Sequence, residues 1–120
     1  MIEVVNVKDK LSAISDYWNP RIAASVNTTH VKLVKFQGEF TWHHHEHEDE
    51  MFYVVHGEFT MKLTDRDLLI RAGEFVVIPR GVEHKPVADR EVHVLLIEPV
   101  TTVNTGNVTN EKTKTQLETI

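Results

Sequence analysis

The chain has 120 residues, 41% of them apolar and 26% charged, with a formal charge of −5 when its histidines are neutral. That length suits one domain able to bury a core without staples, and an acidic balance with no long basic run argues against nucleic acid as a partner. No apolar stretch nears the roughly 20 residues of a membrane-spanning helix, and the absence of cysteine excludes disulfides, thiolate zinc sites and a cysteine nucleophile while fitting a reducing compartment.

The first residues, Met-Ile-Glu-Val-Val-Asn-Val-Lys, lack the pattern of a signal peptide, so the expected location is cytoplasmic. Val7, Leu11 and Ile14 space their apolar groups by three and four, which predicts one or two helical turns over Lys8–Ile14. Pro20 disfavours a helical Asn19 and closes that segment. Tyr17 and Trp18 read as a plug on the core or a dimer contact. Residues 1–29 are thus an N-terminal extension packing on the body of the domain or on a partner.

From His30 the pattern turns to short β-rich runs. Val31 and Leu33 alternate with Lys32, as in a half-buried strand running to Phe36. Strands are predicted over Phe40–His45, Glu50–His56, Phe59–Thr64, Asp67–Arg71, Phe75–Ile78, Glu83–Val87 and Val92–Glu98, with turns at Asp65-Arg66, Ala72-Gly73 and Pro79-Arg80-Gly81. Such short strands without helices between them predict an all-β antiparallel sandwich or barrel over residues 30–100. Residues 101–120 are a polar tail rich in threonine and asparagine, with its far end expected to be mobile.

Four of the eight histidines fall in the run His43-His44-His45-Glu46-His47, just before Glu50. On one strand, His43 and His45 project from the same face and His44 from the other. A polar hairpin loop over 46–49 then returns Glu50 beside His45. Two imidazoles and a carboxylate meeting at one point form a divalent-metal site with open positions for a ligand. A solvated histidine-rich loop is the competing reading, but this run lies between two apolar strands. The register pairing His45 with His47 leaves too short a connection to Glu50, so His44 and His47 are read as bystanders at the rim. A second element, Gly73, Pro79, Gly81 and His84, shapes a turn after which His84 could add a third imidazole.

Together these elements resemble the two motifs of the cupin family. His43, His45, Glu50 and Gly57 match the first, and Gly73, Pro79, Gly81 and His84 match the second. Two departures stand out: Gly38 precedes His43 by one residue fewer than the pattern, and Ala88 stands where the pattern has Asn. The resemblance implies a jelly-roll barrel, also called a double-stranded β-helix, with a short N-terminal helical segment. It also implies one divalent transition metal per chain (Fe, Mn, Ni, Co or Zn) on His43, His45, Glu50 and His84, and a small-molecule ligand in the barrel. Phe40, Trp42, Phe52, Phe75 and Val94 are candidates for core or pocket wall, and Trp42 and His93 for the cavity face.

Three functions follow as expectations. The first is a metal-dependent enzyme of dioxygenase type. The second is a sugar or sugar-phosphate isomerase or epimerase using the metal as a Lewis acid. The third is a non-enzymatic protein that binds or senses a small ligand. Exposed sheet edges and the aromatic N-terminal segment lead us to expect a homodimer.

Overall fold

A computed structural model describes residues 2–120. One short helix, α1 (Val7–Ser12), precedes seven strands: β1 (Arg21–Val26), β2 (Thr29–Glu39), β3 (Glu50–His56), β4 (Glu58–Leu63), β5 (Asp67–Arg71), β6 (Phe75–Ile78) and β7 (His84–Pro99). Every strand pairing is antiparallel. None of the described helices is long and apolar enough to cross a membrane.

The Asn6 side chain caps α1 by accepting from the Asp9 amide at 2.9 Å. The helix therefore starts a residue earlier than expected and ends sooner. Leu11 and Ile14, together with Leu33 of β2, form a small apolar cluster on the outer face of the sheet. Burying Leu11 alone contributes about 1.5–3 kcal/mol. β1 was not foreseen. It pairs with β2 from Arg21↔Leu33 to Val26↔Thr29 around a turn at Asn27, whose φ is 54°.

β7 organises the barrel. Its first half pairs with β4, its second half with β3, and β2 runs along most of its length. The two strands expected over 83–87 and 92–98 are thus one bent strand. Phe36 pairs with Val92 and Gly38 with Ala88, so three residues of β7 face one of β2 at the bend. The bulge turns the strand without ending its pairing. At the neighbouring β3–β4 corner, Gly57 has φ 84°, and a Cβ there would lie 3.0 Å from the Glu91 carbonyl. Only glycine suits both the backbone and the space.

Val34, Phe36, Phe52, Val54, Phe59, Met61 and Val94 belong to the main core inside the barrel. Trp18 closes one side, stacked on Phe36 and Phe40 at centroid separations of 4.4 and 4.8 Å. This is the packing role expected of it. Ala88 is buried in the same core, so the asparagine of the family pattern is replaced by an apolar residue there. Phe75 corrects the expected core: it is 64% exposed on β6, at the end of the sheet path. Trp42 is likewise exposed, and His93 bonds Glu91 at 2.7 Å on the outer side.

The tail has no regular structure and is tied to the barrel at separate points, with much of its second half exposed. Thr105 is fully buried, Asn104 bonds the Lys112 carbonyl, and Thr119 bridges Ile22 of β1. It lies against residues 43–44 at the end of the barrel where the histidines gather.

Candidate metal centre

The expected strand over Phe40–His45 is not a regular one. Residues 40–49 run as an extended connection, tied to the start of β7 by a single bridge at His43↔His84. In that bridge the His43 amide donates to the His84 carbonyl at 3.0 Å, and the His84 amide to the His43 carbonyl at 2.9 Å. The Gly81 amide holds the His45 carbonyl at 2.8 Å and the Phe40 amide donates to Pro86 at 3.0 Å. The extended backbone preserves the alternation even without a full ladder: His43 and His45 are buried, and His44 faces outward to Glu83 and Glu46.

His43, His45, Glu50 and His84 each offer a donor atom, and these atoms lie within 4.8 Å of one another. Two ligands on opposite sides of an ion at about 2.1 Å stand about 4 Å apart, so the cluster is near the size a single ion requires. All four residues are between 0 and 4% exposed. The Nδ1 atoms of His43 and His84 donate to the carbonyls of Thr41 and Val82, both at 2.8 Å. A carbonyl only accepts, so the proton sits on Nδ1 and Nε2 is left as a free donor atom.

Three atoms facing the cluster have no hydrogen-bond partner: His45 Nε2, His84 Nε2 and Glu50 Oε1. They are 3.2 and 3.6 Å apart across the carboxylate, without hydrogen-bond alignment. A buried polar atom without a partner costs about 1–3 kcal/mol, and a cation at the centre would satisfy all three together. The cluster is consistent with a single metal site.

Its electrostatics suit that reading. Burial, and then the charge of His84, push His43 down to about 4, so its imidazole is neutral at pH 7 as a ligand must be. Burial pushes the Glu50 carboxyl up, but the side chains of Glu98, His45 and His84 packed around it outweigh that and hold the group well below the usual carboxylate range. His44 is raised by its hydrogen bonds to Glu83 and Glu46 and lies outside the cluster. His47 is exposed.

Beside the donors lies a cavity of about 30 Å³, whose walls include Trp18, Phe36, Phe40 and Phe52, with His43, Glu50 and Glu98 on its polar side. Two residues of this region were not singled out from the sequence. Lys32 and Glu98 are each 2% exposed and paired at 2.7 Å inside the barrel. Lys32 had the look of an outward residue between Val31 and Leu33. Its true direction follows from α1, which covers the other face of β2 and buries Leu33 there. The run Val92, Val94, Leu96, Glu98 did carry the signal, since its period of two places Glu98 on the core face.

Comparison with known proteins agrees with this architecture. A cupin-2 domain protein from Shewanella frigidimarina is 45% identical, with a TM-score of 0.79, covering 80% of this chain and 94% of that one. An uncharacterised protein, YdbB, from Bacillus subtilis is 36% identical over 63 residues, 52% of this chain and 56% of its own length. The 3-hydroxyanthranilate 3,4-dioxygenase of Xenopus tropicalis is 28% identical over 89 residues, 68% of this chain but 32% of the enzyme. The chain thus spans about half of the first relative and a third of the second. The cupin domain model matches residues 30–98, with both histidine elements inside it. The chain belongs to the cupin family.

Proposed function

We propose that the protein is a metal-dependent enzyme acting on a small molecule, with dioxygenase-type chemistry, and that His43, His45, Glu50 and His84 are its metal ligands. The observation that carries this reading is the set of four buried donors with unpartnered atoms facing one point. When bound there, a divalent transition metal would supply Lewis-acid or redox chemistry to a ligand chelated at its open positions.

The chain's own residues do the rest. Thr41 and Val82 hold two imidazoles in the tautomer that leaves Nε2 free. The low proton affinity of His43 keeps that side chain available at neutral pH. The aromatic wall of Trp18, Phe36, Phe40 and Phe52 gives the donors an apolar surround. Similarity to a dioxygenase over two thirds of this chain supports the oxygen-using reading over isomerisation.

The test is elemental analysis of the purified protein, followed by oxygen-uptake measurements on iron-loaded samples with catechols, aminophenols, thiols and diketones. We expect about one metal per chain, lost in the double variant His43→Ala, His84→Ala. Metal-free protein that takes up none when supplied would sink the site. Metal without oxygen consumption on any of these compounds would leave isomerisation or simple ligand binding.

A further inference from the structure

The four clustered donors are shut away. His43, His45, Glu50 and His84 are between 0 and 4% exposed, and the cavity beside them measures about 30 Å³. Sites for organic ligands run to about 300–1,000 Å³, so nothing larger than water or an ion reaches these donors unless part of their surroundings moves. Much of those surroundings is fixed. β2, β3 and β4 are laddered to β7. Residues 40–49 are pinned by the His43–His84 bridge, by the Gly81 amide and by Asp49, which accepts from the Arg80 amide at 2.9 Å.

The tail differs. Residues 101–114 pair with no strand and bond among themselves. The Asn104 side chain donates to the Lys112 carbonyl at 2.9 Å and accepts from the Lys114 amide at 2.8 Å. Thr105 donates to the Val108 carbonyl at 2.6 Å, and Asn110 is bonded to Lys112 and Thr113. Both ends of this unit are anchored: the Val100 amide donates to Thr28, and residues 118–120 exchange two bonds with Ile22. A segment folded on itself between anchored ends can swing as one piece. Its grip on the roof of the cluster is slight. Thr101 Oγ1 donates to Glu48 at 2.7 Å, and Asn107 and His44 exchange bonds of 2.8 and 3.0 Å. Along this seam lies a cleft of about 150 Å³, with Glu46 and Glu48 on one side, Thr101, Val103 and Asn107 on the other, and His45 in its wall.

We propose that residues 101–114 are a hinged cover: the Thr101–Glu48 and Asn107–His44 bonds latch it shut over the four donors, and its lifting opens the way for the ion and its ligand. This rests on the metal reading above for what enters. Gly106 lets the closed cover seat directly on the backbone beside His43, since a Cβ there would lie 2.1 Å from the His44 carbonyl oxygen. The latches that depend on side chains are exposed, where water replaces a broken bond at little cost.

The test follows cobalt(II) uptake by metal-free protein in stopped flow, through the visible absorption of the bound metal. Wild type is compared with Thr101→Val/Asn107→Ala, which cuts both side-chain latches, and with Glu48→Cys/Thr101→Cys before and after dibromobimane joins the two thiols. The chain has no cysteine of its own, so the cross-link is specific. We expect uptake to be about tenfold faster with the latches cut, the effect of two exposed hydrogen bonds on the open fraction. It should be about tenfold slower once the cross-link closes the cover, with final stoichiometry at the wild-type value throughout. A second readout needs no metal: carbethoxylation of His84 by diethyl pyrocarbonate, followed by mass spectrometry on the tryptic peptide Gly81–Arg90, in which it is the sole histidine. It should follow the same order. Asn107→Ala alone serves if the double variant fails to fold. Rates that ignore the latches, or a cross-linked protein as fast as its parent, overturn the cover while leaving the metal reading intact. A lower final cobalt content in the latch variant overturns it too, by showing that the tail supports the donors instead of gating them. A wild type that takes up no cobalt removes the metal reading alone, and the His84 rates then decide the cover by themselves.

Discussion

Replacing Gly106 with alanine should unseat the C-terminal tail from the end of the barrel where the histidines gather. Gly106 has φ 55°, and a Cβ there would stand 2.1 Å from the His44 carbonyl oxygen and 3.2 Å from His43 Cδ2. The obstacle is backbone, so it cannot swing aside. Next to it, the Asn107 amide donates to the His44 carbonyl at 3.0 Å, and Asn107 Oδ1 accepts from the His44 amide at 2.8 Å. Relieving the clash means lifting residues 106–107 and breaking both bonds, at about 1 kcal/mol each. The left-handed backbone adds about 1 kcal/mol for any non-glycine residue. Gly73→Ala is the matched control: φ is 86°, with nothing within 4 Å of its Cβ position, so it bears the backbone cost alone. Gly106→Ala should therefore lose about 3 kcal/mol and Gly73→Ala about 1 kcal/mol. The gap corresponds to a difference in melting temperature on the order of 8 °C for a chain of this size. Calorimetry of the metal-free proteins measures it. Equal melting temperatures for the two variants would refute a tail seated on His44.

Two further predictions concern the metal-free barrel. His43 is lowered from 6.5 to about 4, by burial first and by the His84 charge second, so the unfolded chain takes up a proton before the folded one does. Its contribution to stability is complete above pH 6.5 and is lost as the pH falls to about 4, on the order of 3 kcal/mol in all. Urea midpoints across that window should show the decline and His43→Leu should flatten it; an equal slope in both proteins would refute the assignment. Trp18→Ala removes two ring stacks and a 2.9 Å bond from Nε1 to the Gln37 carbonyl. It should cost about 3–5 kcal/mol in urea unfolding, and a loss under 1 kcal/mol would contradict the plug role.

The four-residue cluster was legible because its geometry depends on alternation, which survives local irregularity. Residues 40–45 are not a regular strand, yet an extended backbone still sends His43 and His45 the same way and His44 the other. The strand order rests on different information. Val92–Glu98 and Glu83–Val87 looked like two strands because Asp89, Arg90 and Glu91 are polar, but polar residues mark a bend in a paired strand as readily as its end. β1 escaped notice because Arg21–Val26 has neither a strict period of two nor a strong apolar run.

The misreading of Lys32 has a more general cause. Alternation tells which residues share a face; it does not tell which face is buried when both are covered. On β2, α1 covers Leu33 from outside while Val34 and Phe36 fill the barrel, so the strand is apolar on both sides and the lysine gives no contrast. Hydrophobicity alone assigns a charge to solvent, because an unpaired buried ammonium is too costly. Here the cost is offset by a partner 66 residues away, Glu98, across the β2–β7 ladder. No local window contains both residues. The four clustered residues could be found from short-range spacing and two nearby elements, whereas the ion pair beside them follows only from the folded register. A buried charge whose partner is that distant is therefore where structure adds most to the reading of this site.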